Sequence, residues 1–290
     1  MKHILVPIDF SPESAYACAF AADLAFRTQS HLVLLHAFDA PLLPSGSGWI
    51  QRGAGLHPEA ERLQTAALER LADFASTHVT PRVPYIAEAQ PGGPAEVILR
   101  YGRLEEVKAV VLGTKGAKGW TGGLRGSISA EILRSSDLPT FIVPRREAPV
   151  AWERLVLASD LRSDETAVFR AFSALGRLYQ SEVTLLHVHP EGGIEETVHP
   201  ALEALLAGSE LQNWGRVTLE APDVETGLHR FTEEQGTDLL ALSTQTHSLW
   251  EQLFHRSLAR QEAVRAALPL LIFHRFTGAQ TSTRGLELFD

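Results

Sequence analysis

The stretch HILVPIDFS, residues 3–11, places a short run of aliphatic residues directly before an aspartate. A similar stretch, RLVLASDLR, returns at residues 154–162 and aligns Asp9 with Asp160 at an offset of 151 residues. Similar segments at a fixed spacing are the sequence signature of a repeated structural unit. The chain therefore contains two copies of one unit.

The repeat continues along both halves of the chain. At the same offset, LVLLHAF (residues 32–38) aligns with VTLLHVH (residues 183–189), which places His36 on His187 and favours a structural role for both. Further on the offset falls to 130, where LPTFIVP (residues 138–144) aligns with LPLLIFH (residues 268–274). The second copy is therefore about 21 residues shorter between its second and fourth strands. We predict domains at 1–146 and 151–276, followed by a tail at 277–290.

Each copy alternates two kinds of sequence pattern. Short aliphatic runs predict strands that are buried on both faces, as in a parallel sheet. Between them, helical periodicity predicts helices at Ser14–Arg27, Pro58–Thr77, Pro94–Glu105 and Ser127–Ser135. The predicted fold is α/β: two tandem, open, parallel five-stranded sheets with helices on both faces. Because an unpaired apolar edge invites pairing, we expect the last strands of the copies to pair antiparallel about a pseudo-twofold axis.

Composition and charge exclude several classes of protein. The 290 residues are 44% hydrophobic and carry a formal net charge of -9, with scattered basic residues, so we expect no nucleic-acid partner. We expect no membrane partner either, because no apolar run approaches the length of a membrane span. The first apolar run is interrupted by Pro7 and Asp9, which argues against a signal peptide. With one cysteine, Cys18, these features predict a cytoplasmic protein.

A second stretch, GTKGAKGWTGGLRGS at residues 113–127, contains six glycines and three cations. It follows a predicted buried strand and leads into a predicted helix. Glycines allow the backbone to approach phosphate closely, and the free N–H groups at a helix start attract anions. A plain surface loop is the alternative, but these flanks favour a phosphate site at the strand edge that also carries Asp9.

The spacing Gly113-x2-Gly116-x9-Gly126-Ser127, together with VPIDFS at the start, resembles the motif of ATP-binding members of the universal stress protein family. It is distinct from the P-loop, whose Gly-x4-Gly-Lys-Ser/Thr pattern is absent. The resemblance implies a tandem universal stress protein with a Rossmann-like fold of the adenine-nucleotide α-hydrolase type. It also implies ATP, with or without Mg, in the first copy.

The same resemblance implies roles for individual residues. Those near the base and ribose are Pro7, Asp9 and Ala37. Those along the ribose and phosphates are Leu112, Gly113, Lys115, Gly116, Gly126, Ser127, Ile128 and Ser129.

The family likeness favours a stress-response regulator that binds ATP, arranged as a pseudo-dimer within one chain and open to forming a homodimer. A slow ATPase, or an enzyme that phosphorylates itself on Ser127 or Ser129, is the alternative, and a docking protein is a third. The loop offers cations and hydroxyls but no carboxylate to act on a γ-phosphate, so we assign no catalytic residue. No metal site is predicted, because the two histidines at 187 and 189 lack an evident third ligand.

The second copy lacks all three motif glycines. Ser243, Thr246 and Arg256 stand at the equivalent positions, and Ser257 follows the last of them. We therefore predict a nucleotide-free second half in which Asp160 serves as a capping residue. Residues 41–58 are rich in glycine and proline and favour either a disordered tether or a lid over the nucleotide.

Overall fold

The computed structural model describes residues 1–39, 50–51, 55–56, 58–114, 128–146, 150–161, 164–191, 198–207, 214–244, 268–274 and 283–289. Within these ranges, no helix combines the length and the apolar character that a membrane crossing requires.

The first half of the chain alternates strands and helices. Its elements are β1 (His3–Pro7), α1 (Pro12–Thr28), β2 (His31–Phe38), β3 (Ile50–Gln51), β4 (Gly55–Leu56), α2 (Pro58–His78), β5 (Tyr85–Pro91), α3 (Pro94–Gly102), β6 (Val107–Thr114), α4 (Ile128–Ser135) and β7 (Thr140–Pro144).

The second half repeats the alternation. Its elements are β8 (Arg154–Ala158), α5 (Thr166–Tyr179), β9 (Glu182–Pro190), α6 (Pro200–Ala207), β10 (Trp214–Ala221), α7 (Val224–Glu234), β11 (Leu239–Thr244), β12 (Leu270–His274) and a 3-10 turn at Leu286–Leu288.

The major strands form one sheet of ten strands in the order β10-β9-β8-β11-β12-β7-β6-β1-β2-β5. Neighbouring strands are parallel within each half, and read outward from the centre the two halves have the same order. The central pair is antiparallel, with Ile142 opposite Leu270, Phe141 opposite Leu271 and Thr140 opposite Ile272. The predicted α/β class and the antiparallel pairing of the last strands are therefore confirmed.

Burial on both faces explains why the strands read as continuous apolar runs. In β1, Ile4, Leu5 and Val6 are all fully buried. Because successive side chains of a strand point to opposite faces, Ile4 and Val6 pack in the core cluster that includes α1, while Leu5 packs in the cluster that includes α3. Fully burying one such side chain contributes about 1.5–3 kcal/mol, so β1 anchors both layers of helices.

The aligned histidines occupy equivalent positions in the two halves. The Nδ1 atom of His36 lies 2.7 Å from the carbonyl oxygen of Ile8, and that of His187 lies 2.9 Å from the carbonyl oxygen of Ser159. A carbonyl oxygen can only accept, so Nδ1 carries the hydrogen in both rings. Each imidazole links the second strand of its half to the turn after the first strand. This is the structural role that the alignment of the two histidines predicted.

The structure adds to the sequence-based expectations in three places. The third helix was predicted to end at Glu105 but ends at Gly102, where a turn leads into β6. Within the segment 41–58, residues 50–51 and 55–56 form the small hairpin β3–β4. The other residues before Pro58 lie outside the described ranges, so the tether and the lid both stay predictions. The helix after β9, α6, has 8 residues against 21 in α2, which accounts for much of the shortening of the second copy.

Candidate functional site

The candidate site lies where β1 and β6 run side by side. From β1 the chain continues outward through β2 and β5, and from β6 it continues in the other direction to β7. Ligands of open parallel sheets bind at such a reversal of strand order, outside the carboxyl ends of the strands. Here those ends are Pro7 of β1 and Thr114 of β6, and the predicted phosphate loop, residues 113–127, begins with the last two residues of β6.

The structure brings several of the predicted residues to this edge. Pro7 ends β1, Ala37 lies near the end of the adjacent β2, and Leu112 and Gly113 lie near the end of β6 on the other side. Two more begin the helix that follows the loop: Ile128, which is 44% exposed, and Ser129. The predictions for four residues lie outside the described part of the chain, namely those for Lys115, Gly116, Gly126 and Ser127.

Asp9 is exposed just beyond the end of β1 and is held by Ser11. Its Oδ1 atom accepts hydrogen bonds from the backbone N–H of Ser11 at 2.9 Å and from the Ser11 hydroxyl at 2.5 Å. Partial desolvation acts to raise the pKa of Asp9, but these bonds and one from the Ser14 side chain outweigh it, so the pKa lies below its ordinary value. Asp9 therefore presents a fixed, ionised carboxylate at the edge of the sheet.

Ser11 also caps α1. It has extended backbone angles, and its Oγ accepts the N–H of Ser14 at 3.1 Å, while Pro12 occupies the first turn. The sequence prediction began this helix at Ser14 and missed Ser11, although a serine followed by proline and glutamate is a typical helix start. Ser11 is thus a positioning residue that links the Asp9 carboxylate to the start of α1.

Gly113 lies in close contact with the first turn of α1. A Cβ atom at this position would lie 2.5 Å from the carbonyl oxygen of Glu13 and 3.0 Å from the backbone nitrogen of Ser14. The glycine is therefore required by packing between β6 and α1. This reason is independent of the predicted contact with a ligand.

A cluster of rings supports the turn that carries Asp9. Phe10 has a positive φ of 64°, and its ring lies 4.6 Å from that of His36 and 5.9 Å from that of Phe74, between centroids. The guanidinium carbon of Arg70 lies 3.9 Å from the Phe10 centroid. A cation–π contact of this kind contributes about 0.5–2 kcal/mol, which helps offset the cost of the left-handed backbone at Phe10.

Replacing Ser11 by alanine is expected to lower the free energy of unfolding by about 1 kcal/mol, because the helix loses its cap. Asp9 also loses the hydroxyl donor of Ser11, while the backbone N–H of residue 11 remains, so its pKa should rise toward the ordinary value. A depressed carboxyl pKa stabilises the folded state above its unfolded pKa and is lost as the pH falls through the folded pKa. Urea unfolding should therefore show a larger deficit at pH 7 than at pH 3.

The exposed Ser76 of α2 provides the matched control, because Ser76→Ala should change stability by less than about 0.5 kcal/mol. A Ser11→Ala deficit that is equal at both pH values would contradict the role assigned to the Asp9–Ser11 bonds.

The corresponding turn of the second half has different chemistry. Ser159 donates its hydroxyl hydrogen to Oε2 of Glu165, and its Oγ accepts the N–H of Leu161 at 3.0 Å. Glu165 is only 1% exposed and, at the offset of 151, takes the place of Ser14. Helix α5 of this half begins at Thr166, whose backbone N–H donates to Oδ1 of Asp164 at 3.1 Å. The second half thus has a buried acidic side chain beside this strand end, where the first half has Ser14.

Two further predictions concern the second half and metals. The equivalents of the motif glycines from Thr246 onward lie outside the described residues. Across the described ranges, no group of three or more histidine, cysteine, aspartate or glutamate residues is arranged to hold a metal ion.

Comparison with known proteins identifies the first half. Residues 1–144 match the model of the Universal stress protein family. A universal stress protein of Mycolicibacterium smegmatis is 35% identical over 152 residues, which cover 49% of this chain and 46% of that protein. One of Mycobacterium tuberculosis is 29% identical over 142 residues, which cover 48% and 44%. The matches thus span less than half the length of these curated relatives.

The fold of the whole chain is also similar to a solved structure. A universal stress protein from Archaeoglobus fulgidus superposes with a TM-score of 0.65 at 16% identity, covering 95% of this chain and 97% of that one. At this identity the likeness concerns the fold alone. Through its N-terminal half, residues 1–144, the chain belongs to the universal stress protein family.

Proposed function

We propose that the first half of the chain binds ATP at the carboxyl ends of β1 and β6, and that the protein acts as a nucleotide-binding regulator of a stress response. The observation that carries this proposal is the ionised Asp9 carboxylate, held by Ser11 beside the strand that leads into the glycine-rich loop.

Charge sets the orientation of the nucleotide. An ionised carboxylate repels phosphate and accepts hydrogen bonds from hydroxyl groups, so the ribose should face Asp9. One carboxylate oxygen, Oδ1, holds Ser11, and the other would accept a ribose hydroxyl. Ala37, on β2, would line the apolar side of the base, and Leu112, on β6, would border the ribose.

The phosphates would then extend toward the glycine-rich loop and the start of α4. Backbone N–H groups at a helix start and hydroxyl groups are the donors that phosphate oxygens prefer, and Ser127 and Ser129 bracket the first residue of α4. Lys115, Gly116 and Gly126 would complete this cradle. Any Mg would be held mainly by the phosphates themselves, which is its usual mode of binding.

The second half is proposed to be free of nucleotide. The buried Glu165 takes the place of Ser14 beside the end of the first strand, and Ser243, Thr246 and Arg256 replace the motif glycines that would cradle the phosphates. We propose that the two halves are tandem domains, residues 1–146 and 151–276, and that they differ in nucleotide binding. We place the protein in the cytoplasm.

Titration calorimetry with ATP tests the proposal directly. We expect one site per chain, with Asp9→Asn weakening binding by about tenfold or more, because a hydrogen bond to a charged group is lost. Asparagine keeps an oxygen that can accept from Ser11, so the turn should survive. Mass spectrometry of nucleotide released from the purified protein should detect intact ATP.

The matched control is Asp160→Asn, the equivalent change in the second half, which should leave the dissociation constant unchanged. Two sites per chain, or loss of binding only with Asp160→Asn, would contradict the assignment of the working half. Preferential binding or release of AMP or a cyclic nucleotide would contradict the choice of ATP.

A further inference from the structure

Residues 283–289, here named the clasp, follow the last strand of the second half and pack against both β6 of the first half and α5 of the second half. They form part of the predicted tail. Leu288 and Phe289 are 1% and 2% exposed, as buried as core residues of the sheet. The clasp therefore joins two halves that also meet along the antiparallel pair β7–β12 and between α1 and α5, where the Tyr179 hydroxyl donates to Oδ2 of Asp23 at 2.7 Å.

Arg284 anchors the clasp through three hydrogen bonds. Its Nη1 donates to Oδ1 of Asp137 at 2.8 Å, and its Nη2 donates to the carbonyl oxygens of Gly102 at 2.6 Å and Leu104 at 2.9 Å. Gly102 ends α3, and carbonyl groups at a helix C-terminus carry partial negative charge. A carboxylate and two such oxygens match the planar fork of a guanidinium better than an ammonium.

The next residues fit closely against β6. Gly285 has a φ of 80°, and a Cβ atom there would lie 2.1 Å from the carbonyl oxygen of Lys108, so only glycine fits. Two residues later, Oε1 of Glu287 lies 2.6 Å from Nζ of Lys108. The clasp thus has a defined register on the first half.

Phe289 spans the junction between the halves. Its ring lies edge-on, 6.4 Å between centroids, from both Phe141 of β7 and Phe273 of β12. These two strands share the three residue pairs described above, a short seam for so large a sheet. Contact with one phenylalanine from each half adds aromatic packing at the seam.

We propose that Asp137, Gly102 and Leu104 form a guanidinium-binding site whose ligand is Arg284 of the same chain, and that the docked clasp makes the two halves unfold as one unit. This site is separate from the nucleotide site, since it lies at the amino end of β6. The proposal therefore holds or fails independently of ATP binding.

Chymotrypsin digestion of the full chain tests the docking step, because the enzyme cleaves after Leu286, Leu288 and Phe289 only when the clasp opens. Arg284→Ala should speed cleavage there by about tenfold or more, since it removes bonds to a charged group. Its thermal unfolding should split into two transitions. Arg284→Lys should be cleaved at a rate between those of the wild type and Arg284→Ala. Arg134→Ala, which removes an exposed arginine of α4, should match the wild type.

Chemical rescue tests the nature of the site. Ethylguanidinium at low millimolar concentration should slow the cleavage of Arg284→Ala, whereas ethylammonium should not. Equal rescue by both cations, or none by either, would overturn the guanidinium site. Cleavage of both Arg284→Ala and Arg284→Lys within twofold of the wild-type rate, or a single unchanged unfolding transition, would overturn the clasp.

Discussion

Aspartate in place of Gly126 is expected to abolish nucleotide binding, with a dissociation constant raised more than about a hundredfold, by steric clash and charge repulsion together. Gly126 is the last glycine of the motif and lies two residues before the first residue of α4. In the proposed site, backbone N–H groups meet phosphate oxygens at this point. The variant places a side chain and a negative charge in the space meant for the phosphates. Titration calorimetry with ATP measures the loss.

Arg256→Asp is the matched control, because Arg256 is the counterpart of Gly126 in the second half. It introduces the same residue and should leave the affinity and the single site unchanged. Circular dichroism should show that both variants are folded. Full binding by Gly126→Asp would remove the glycine-rich loop from the nucleotide site.

Alanine in place of Gly113 is expected to lower the free energy of unfolding by about 1–3 kcal/mol, the usual cost of overpacking a tight contact. The added methyl group would lie 2.5 Å from the carbonyl oxygen of Glu13, which belongs to the backbone of α1 and cannot rotate away. The start of α1 must then shift, and Asp9 shifts with it through Ser11. Affinity for ATP should therefore fall as well. Denaturant unfolding and calorimetry measure the two effects.

Gly215→Ala serves as the control for the same chemical change. Gly215 lies in the edge strand β10, and a Cβ atom there would meet no atom within 4 Å. The free energy of unfolding of Gly215→Ala should equal or slightly exceed that of the wild type, because alanine reduces the entropy of the unfolded chain. If both alanine variants were equally stable, the contact between β6 and α1 would not be what requires Gly113.

The architecture was predictable because it depends on local patterns that recur. The run in β1 is apolar at consecutive positions because both faces of the strand are buried, and the same pattern reappears in β8. The last strands of the halves are apolar runs that close each copy, and an unpaired apolar edge invites pairing, so their antiparallel pairing could be predicted. Helix starts were less accurate, as at Ser11, because capping depends on a single side chain.

The parts that could not be predicted depend on contacts between distant residues. Nothing near Phe10 in sequence indicates that Arg70 lies over its ring. The need for glycine at position 113 arises from α1, about a hundred residues earlier in the chain. Likewise, the partner of Arg284 at Asp137 belongs to the other half. Such pairs are set by tertiary packing and leave no periodicity in the sequence.

The antiparallel pair at the centre of the sheet also determines where the molecule can meet its surroundings. Because strands are parallel within each half and reversed between halves, the carboxyl ends of the two sets point to opposite poles. A small molecule bound at the carboxyl ends of one set of strands does not contact the loops at the carboxyl ends of the other set. Those loops can therefore change in sequence without affecting its binding. If the first end binds the proposed nucleotide and the second a partner, coupling between them would involve the central strands and the contact between α1 and α5. Mutations in the central strands, rather than in the edge strands, should therefore uncouple the two ends of the molecule.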